Sequence, residues 1–335
     1  MKVIKLLRIL LKQSLLVVIF SSYFTHLSLS QDNSLSTNQS LSLWVENDSP
    51  SIKDKDYTSG VRIAYTQSID EFNAFTRFLE PLTSIYNTSY STNLGYSLTH
   101  MLFTPETPSS YTQPVGERRY AAWIGIQTAL IGQSSKHQSV LGFTLGATGS
   151  PAMGEKIQDS IHDITKSAKF NGWDNEIPSE ATLGLSWSHL QNIKLSERAS
   201  ITPGVILEAG NFRTQAIATL GIQYEIWGDT DPFTLPFVNS TGFITPSSMS
   251  KGHSLSLFSY FSEYFVAHDV TLDGSWFHNN DTGNTREPLV FRGSAGLKYQ
   301  CANWLITLSY METTDAYSTQ RLPSKMANLN VTYSF

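Results

Sequence analysis

Residues 289–300 read LVFRGSAGLKYQ. Taking every second residue from Leu289 gives Leu, Phe, Gly, Ala, Leu and Tyr. The residues between them are Val290, Arg292, Ser294, Gly296, Lys298 and Gln300. One face is apolar and aromatic, while the other is mostly polar and includes two cations. Strict period-two alternation over twelve residues is the pattern of a strand with one face in an apolar medium. The same split recurs in 215–227, where Ala216, Ala218, Leu220, Ile222, Tyr224 and Ile226 oppose Gln215, Thr219, Gln223 and Glu225. It appears again in 304–311, where Trp304, Ile306, Leu308 and Tyr310 share a face.

Soluble sandwiches alternate too, so length and ends decide the medium. These runs often reach ten or more residues, close to the ~9–11 that a tilted transmembrane strand needs. Aromatic residues such as Tyr120, Tyr299 and Trp304 stand at the ends of apolar faces, where interfacial girdles lie. Leu329, Val331, Tyr333 and Phe335 alternate to a terminal phenylalanine. That ending resembles the last strand of bacterial outer-membrane barrels, the strand read by their barrel assembly machinery, which is therefore an expected partner. In lipid every backbone group must be satisfied internally, so strands that span must close on themselves.

Counting outward from 289–300 gives about twelve segments: 40–47, 58–69, 92–104, 119–132, 138–149, 181–194, 199–210, 213–228, 253–267, 289–300, 303–313 and 326–335. The expected fold is all-β, a transmembrane antiparallel up-and-down barrel with a short helix in an extracellular loop. The stretch 228–288 has the least clear pattern.

The remaining composition agrees with export. Lys2, Lys5, Arg8 and Lys12 precede the apolar run Leu15–Phe20, and the small residues Ser28 and Ser30 precede Gln31. This order is the form of a secretory signal peptide over 1–30, leaving 31–335 as a single barrel domain. Residues 1–30 hold four basic and no acidic side chains, so their removal moves the formal charge from −5 to −9. An acidic exported chain is a poor fit to nucleic acid. Cys301 is the one cysteine, so no internal disulfide forms.

In an up-and-down barrel, loops after odd strands share one rim. A chain entering from the periplasm places that rim outside. The first such loop lies within WVENDSPSIKDKDYTSG, residues 44–60, where Asn47-Asp48 leads into the loop and Thr58 opens the next strand. The loop after the fifth strand, 150–180, reads SPAMGEKIQDSIHDITKSAKFNGWDNEIPSE. Ser150-Pro151 has the form of an N-cap followed by proline. Ile157, Ile161 and Ile164 then recur at helical spacing, with Glu155, Asp159 and His162 on the other side. His162 is the side chain there able to exchange a proton near neutral pH. The Asp48 carboxylate suits a hard cation such as calcium. Base, cation and amide together describe a hydrolytic centre for an ester. A solvated surface histidine beside ordinary Asn-Asp turn chemistry is the plainer alternative. GHSLS at 252–256 lacks the last glycine of a nucleophile elbow, and no HExxH, P-loop or paired-cysteine motif occurs.

The blocks VENDSPSIKDKDYTSG (45–60), YSLTHMLFTP (96–105), ERRYAAW (117–123) and the 149–177 loop ending in GWDNEI resemble, in order, those of the outer-membrane lipid A 3'-O-deacylases. The resemblance implies a twelve-stranded barrel in the bacterial outer membrane. It implies calcium-dependent hydrolysis of the 3'-linked acyloxyacyl chain of lipid A, the lipid anchor of lipopolysaccharide. On that resemblance His162 is the base activating water, Asp48 a calcium ligand, and Asn47 and Thr58 polar members of the centre. One position departs: the family's glutamate ligand, six residues after the histidine, is Ala168 here. Glu155, Asp159, Asp163 and Asp174 are the nearby carboxylates that could substitute. With Leu43 and Val45 facing lipid, alternation sends Glu46, Asp48, Thr58 and Arg62 inward and Asn47 outward, unless a bulge intervenes. The competing expectations are a phospholipase-like barrel esterase, for which the sequence offers no convincing Ser–His pairing, and a non-catalytic porin.

Overall fold

A computed structural model describes residues 38–335, apart from 49–54, 70–90, 109, 166, 168, 236, 239, 249–251 and 279–281. The expected signal peptide and Ala168 both lie outside the described residues.

Twelve antiparallel strands close into a barrel. They are β1 (Gln39–Asn47), β2 (Asp56–Ser68), β3 (Ser91–Thr104), β4 (Ala121–Gln133), β5 (His137–Thr148), β6 (Ala181–Gln191), β7 (Ala199–Gly210), β8 (Arg213–Trp227), β9 (His253–Asp269), β10 (Leu289–Cys301), β11 (Trp304–Thr313) and β12 (Ser324–Ser334). Each pairs with its neighbour in sequence. β1 meets β12 from Ser40↔Ser334 to Asn47↔Ala327, which removes both edges. A two-residue extension, Ile193–Lys194, continues the ladder against Ile201 and Ser200 outside the ring. The strand runs read from alternation all form, and β10 exposes Leu289, Phe291 and Leu297 while burying Val290, Ser294, Lys298 and Gln300.

Among the described residues two short α-helices punctuate the site-side loops: α1 (Gly154–Thr165) and α2 (Val270–Asp273). Ser150-Pro151 does not cap α1. It starts a separate 3-10 turn, Ser150–Ala152, closed by Met153 in the left-handed region at φ 54°. Tyr120 also departs from its expected girdle position. It is 1 % exposed, lies 4.8 Å from the Trp173 ring, and donates from its hydroxyl to the Pro108 carbonyl at 2.6 Å.

The lumen is filled from the rim opposite α1. The connection between β8 and β9 folds back inside, burying Phe233, Leu235, Phe237, Val238, Phe243 and Ile244. Its backbone is satisfied by inward side chains. The Val238 N–H donates to Glu46 Oε1 at 2.9 Å, and Arg62 Nη1 donates to the Ser240 carbonyl at 2.7 Å. Thr66 reaches the Ile244 carbonyl at 2.7 Å and Lys298 the Asp231 carbonyl at 2.9 Å. The Arg62 guanidinium also sits over the Trp44 and Phe243 rings, at 5.1 and 4.6 Å. This explains why the connection lacks a legible period: its described residues join neither ladder, and its apolar side chains pack among Trp44, Ile131, Phe258 and Tyr260 while its backbone meets polar groups.

Candidate active site

The first hairpin is pinned at its mouth. The Asp48 N–H donates to the Thr58 carbonyl at 3.1 Å, extending the β1–β2 ladder by one bond. Asp48 Oδ2 accepts from the Lys55 N–H at 2.8 Å, so the carboxylate ties the far end of its own loop. Lys55 Nζ then reaches the Leu322 carbonyl at 3.1 Å and Asp56 at 3.6 Å. Asp56 takes φ 60° and accepts from the Tyr317 hydroxyl at 2.9 Å.

The register slips between Tyr57 and Ser59, so Thr58 is the extra residue of a bulge. The bulge lies in β2, where it carries Tyr57 to the lumen side, and the Tyr57 hydroxyl donates to Glu46 Oε2 at 2.6 Å. Thr58 Oγ1 lies 2.7 Å from Thr104 Oγ1, and Asp48 and Thr58 are 2 % and 3 % exposed. Asn47 stays half-buried on the outward face, as alternation requires.

The outward face is where α1 stands. Asn47 pairs with Ser59, Ser59 with Leu102, and Leu102 with Ala122, forming one row across β1 to β4. Directly opposed residues share a face. Leu102 and Ala122 pack with Tyr120, Ala152 and Trp173, and Ile124, Ile157 and Phe170 lie against them. The 149–180 loop therefore folds down over the outside of the wall. His100, one step down β3, holds it there through Nε2 and the Ala152 carbonyl at 2.8 Å.

On α1, Gln158 and His162 are four residues apart and so share a face. Both are buried, at 3 % and 5 %. Gln158 Oε1 accepts from Trp173 Nε1 at 2.8 Å, while its Nε2 is buried without a protein partner among the described residues. Phe170 meets the His162 ring edge-on at 4.9 Å. The surface-histidine alternative is thus overturned. Helical spacing alone could have found Gln158, because it sits one turn before His162. Nothing in the sequence marked Trp173 as its partner. Glu176, also unmarked, is pushed up to about 7 by burial against the wall, with Glu155 adding repulsion and the Ala122 N–H opposing the rise.

The carboxylates near His162 in sequence do not turn toward it. Lys169 pairs with Asp159 at 3.3 Å and with Asp163 at 3.2 Å on the exposed side, and Glu155 and Asp174 are exposed. Calcium takes six to eight oxygens. Among the described residues no three of His, Cys, Asp and Glu gather as a metal group. One Asp48 oxygen is already committed to its loop. Among the described residues these donors do not come together as a calcium site, and no step below passes through a metal.

The profile of the family described as "Outer membrane protein LpxR" matches residues 15–335. The chain belongs to the LpxR family. Among solved structures, LpxR from Salmonella typhimurium aligns with a TM-score of 0.72 at 16 % identity, covering 88 % of this chain and 100 % of that one. This likeness shows a shared LpxR fold. The β domain of the Bordetella autotransporter BrkA aligns with a TM-score of 0.43 at 10 % identity, over 90 % of this chain and 100 % of that one. No curated protein sequence matches. As an LpxR-family barrel the protein belongs to the outer membrane.

Proposed function

We propose that this LpxR-family protein hydrolyses the 3'-linked acyloxyacyl ester of lipid A, with the site on the extracellular rim. The observation that carries the reading is a buried histidine clamped between a loop helix and the outer wall, on the side where lipid lies. Two lengths support bringing it to the Asn47 row. From Ala122 to Asn47 is three strand spacings, about 14 Å. From Gly154, which touches Ala122, to His162 is eight helical residues, about 12 Å.

In the proposed step His162 takes a proton from water as the oxygen attacks the ester carbonyl. The amide N–H groups of Gln158 and Asn47 receive the developing oxyanion. The C–O bond to the sugar then breaks, and the sugar oxygen leaves with the proton from His162. Water and ester become a free acyloxyacyl acid and a sugar hydroxyl. Asp48 and Thr58 hold the hairpin that presents Asn47. Export through the periplasm, with the start of β1 and the last residue paired at the opposite rim (Gln39 N–H to the Phe335 carbonyl, 3.1 Å), supports the extracellular placement.

Mass spectrometry of lipid A from cells expressing the protein tests this. Loss of the 3'-acyloxyacyl mass, absent with His162→Ala and Asn47→Ala, is the expected result. Intact lipid A would reject it. A phospholipase reading has one observation on its side that the sequence did not reveal: Ser139 Oγ lies 2.7 Å from His189 Nδ1. That pair stands near the opposite rim, and Ser139, the third residue of β5, is paired in ladders on both sides. Release of lysophospholipid, lost in Ser139→Ala, would favour it.

A further inference from the structure

The faces of α1 are sorted in an order that its role in the site does not require. Successive helical residues are about 100° apart. Met153, Ile157, Ile161 and Ile164 therefore fall within one arc of about 80°. Gly154, Gln158 and His162 occupy the adjoining arc, and Glu155, Asp159 and Asp163 the one beyond. The middle arc is the buried one, turned to the barrel wall. The apolar arc is exposed except at Ile157, which leans on the wall: Met153 is 47 %, Ile161 36 % and Ile164 64 % accessible. The acidic arc carries the Lys169 bridges.

A helix lying along the outer wall has one flank toward the lipid band and one toward water. The band is close. Ile63, Leu98, Ile126, Leu145 and Leu183 form a single paired row across β2 to β6, each between 40 % and 58 % exposed. That row is four residues down the strands from Leu102 and Ala122, about 13 Å along the chain. A helix with its side chains is about 10–12 Å across, so its lower flank reaches the margin of the band. Carboxylates on that flank would be desolvated without partners, at a cost the apolar side chains do not incur.

We propose that the Ile161–Ile164 flank of α1 rests among the acyl chains of the leaflet at the site rim, with Glu155, Asp159 and Asp163 in water. The helix is then an interfacial amphipathic element continuous with the barrel's lipid-facing surface. Its consequence rests on the hydrolytic reading above: His162 sits between wall and leaflet, so an ester at the head of an acyl chain reaches it without leaving the bilayer. The placement itself holds or fails independently of any activity.

The test uses the mature barrel with Cys301→Ser, reconstituted in phosphatidylethanolamine–phosphatidylglycerol vesicles. Nitroxide is attached at cysteines replacing Lys156, Ile161, Asp163 or Ile164, one at a time. Heat-modifiable migration on gels verifies closure of each barrel. Collision with oxygen should exceed collision with a water-soluble nickel chelate several-fold at 161 and 164, with the reverse at 156 and 163. If position 161 resists labelling, Met153 reports on the same flank. Equal nickel access at all four positions would overturn the proposal. So would dipolar broadening at 161 and 164 that grows with labelled fraction, since a second copy would then cover the flank. Separately, Ile161→Glu with Ile164→Glu should lower turnover of vesicle-embedded lipid A at least tenfold relative to detergent-dispersed lipid A. If the collision pattern holds and that ratio does not move, the placement stands and the hydrolytic reading loses its support.

Discussion

At Gly154 an added Cβ would lie 2.4 Å from the Trp173 ring and 2.7 Å from the Ala122 methyl. Only a residue without a side chain lets α1 approach the wall this closely, and the burial of Gln158 and His162 depends on that approach. Gly154→Val should therefore abolish hydrolysis while the barrel still closes, with loop 149–180 newly open to limited proteolysis. A protected loop would refute this. His162→Ala should cost roughly 100- to 10,000-fold in turnover, the range for a lost general base. Heat-modifiability should be retained, because a loop helix adds little to a ladder closed by twelve strands. An unfolded variant would show that the histidine is structural. The donors around Asp48 carry their own expectation. With Asp159 and Asp163 held by Lys169 and one Asp48 oxygen on the Lys55 N–H, a chelator should lower the rate less than tenfold. A complete loss restored by calcium would show that residues beyond the described ones complete a metal site.

The loop that carries α1 is the element whose docking should respond to pH. Burial raises Glu176 from the usual carboxylate value to about 7. The folded loop thus holds the proton more tightly than the unfolded chain, and the stabilisation is fully present below about 4.5. It is lost as pH rises through about 7. Amide exchange of Gly172–Ile177, corrected for its intrinsic base catalysis, should show protection falling across that window. Glu176→Gln should flatten the profile, and an unchanged profile would remove Glu176 from the account. This element also marks the limit of what the sequence shows. Ile157, Ile161 and Ile164 announce a helix by spacing, but spacing cannot say which face is buried. In water the isoleucine face would turn inward. Here the partner is a barrel wall, so the face bearing Gln158 and His162 packs, Ile157 leans on its edge, and Ile161 and Ile164 stay exposed. The strands were legible for the converse reason: lipid outside and polar lumen inside impose period two on every span. The outward place of Asn47 followed from that parity. The Thr58 bulge did not, because nothing local in Asp56-Tyr57-Thr58 requires an extra residue.

At the scale of the whole molecule, the filled lumen separates a hydrolase from a pore. A twelve-stranded ring has interior space, and an empty one lined by Arg62, Lys298 and Gln127 would pass ions. The β8–β9 connection prevents this by inserting Phe233, Leu235, Phe237, Phe243 and Ile244 while giving its carbonyls to Arg62, Thr66, Gln138 and Lys298. Each such bond stabilises by about 1 kcal/mol net, more where the donor is charged. Leaving Glu46 or Arg62 without its partner in so enclosed a space costs more than the bond itself contributes. The plug should therefore stay seated, and the reconstituted protein should show no single-channel conductance in a planar bilayer. Deleting Thr230–Thr245 should open a conducting path while the site rim, built from the opposite ends of the strands, keeps its activity. Arg62→Ala with Glu46→Ala should give a milder form, with intermittent openings as the segment leaves the lumen. Steady conductance from the unaltered protein would contradict the plug and return the porin reading to first place.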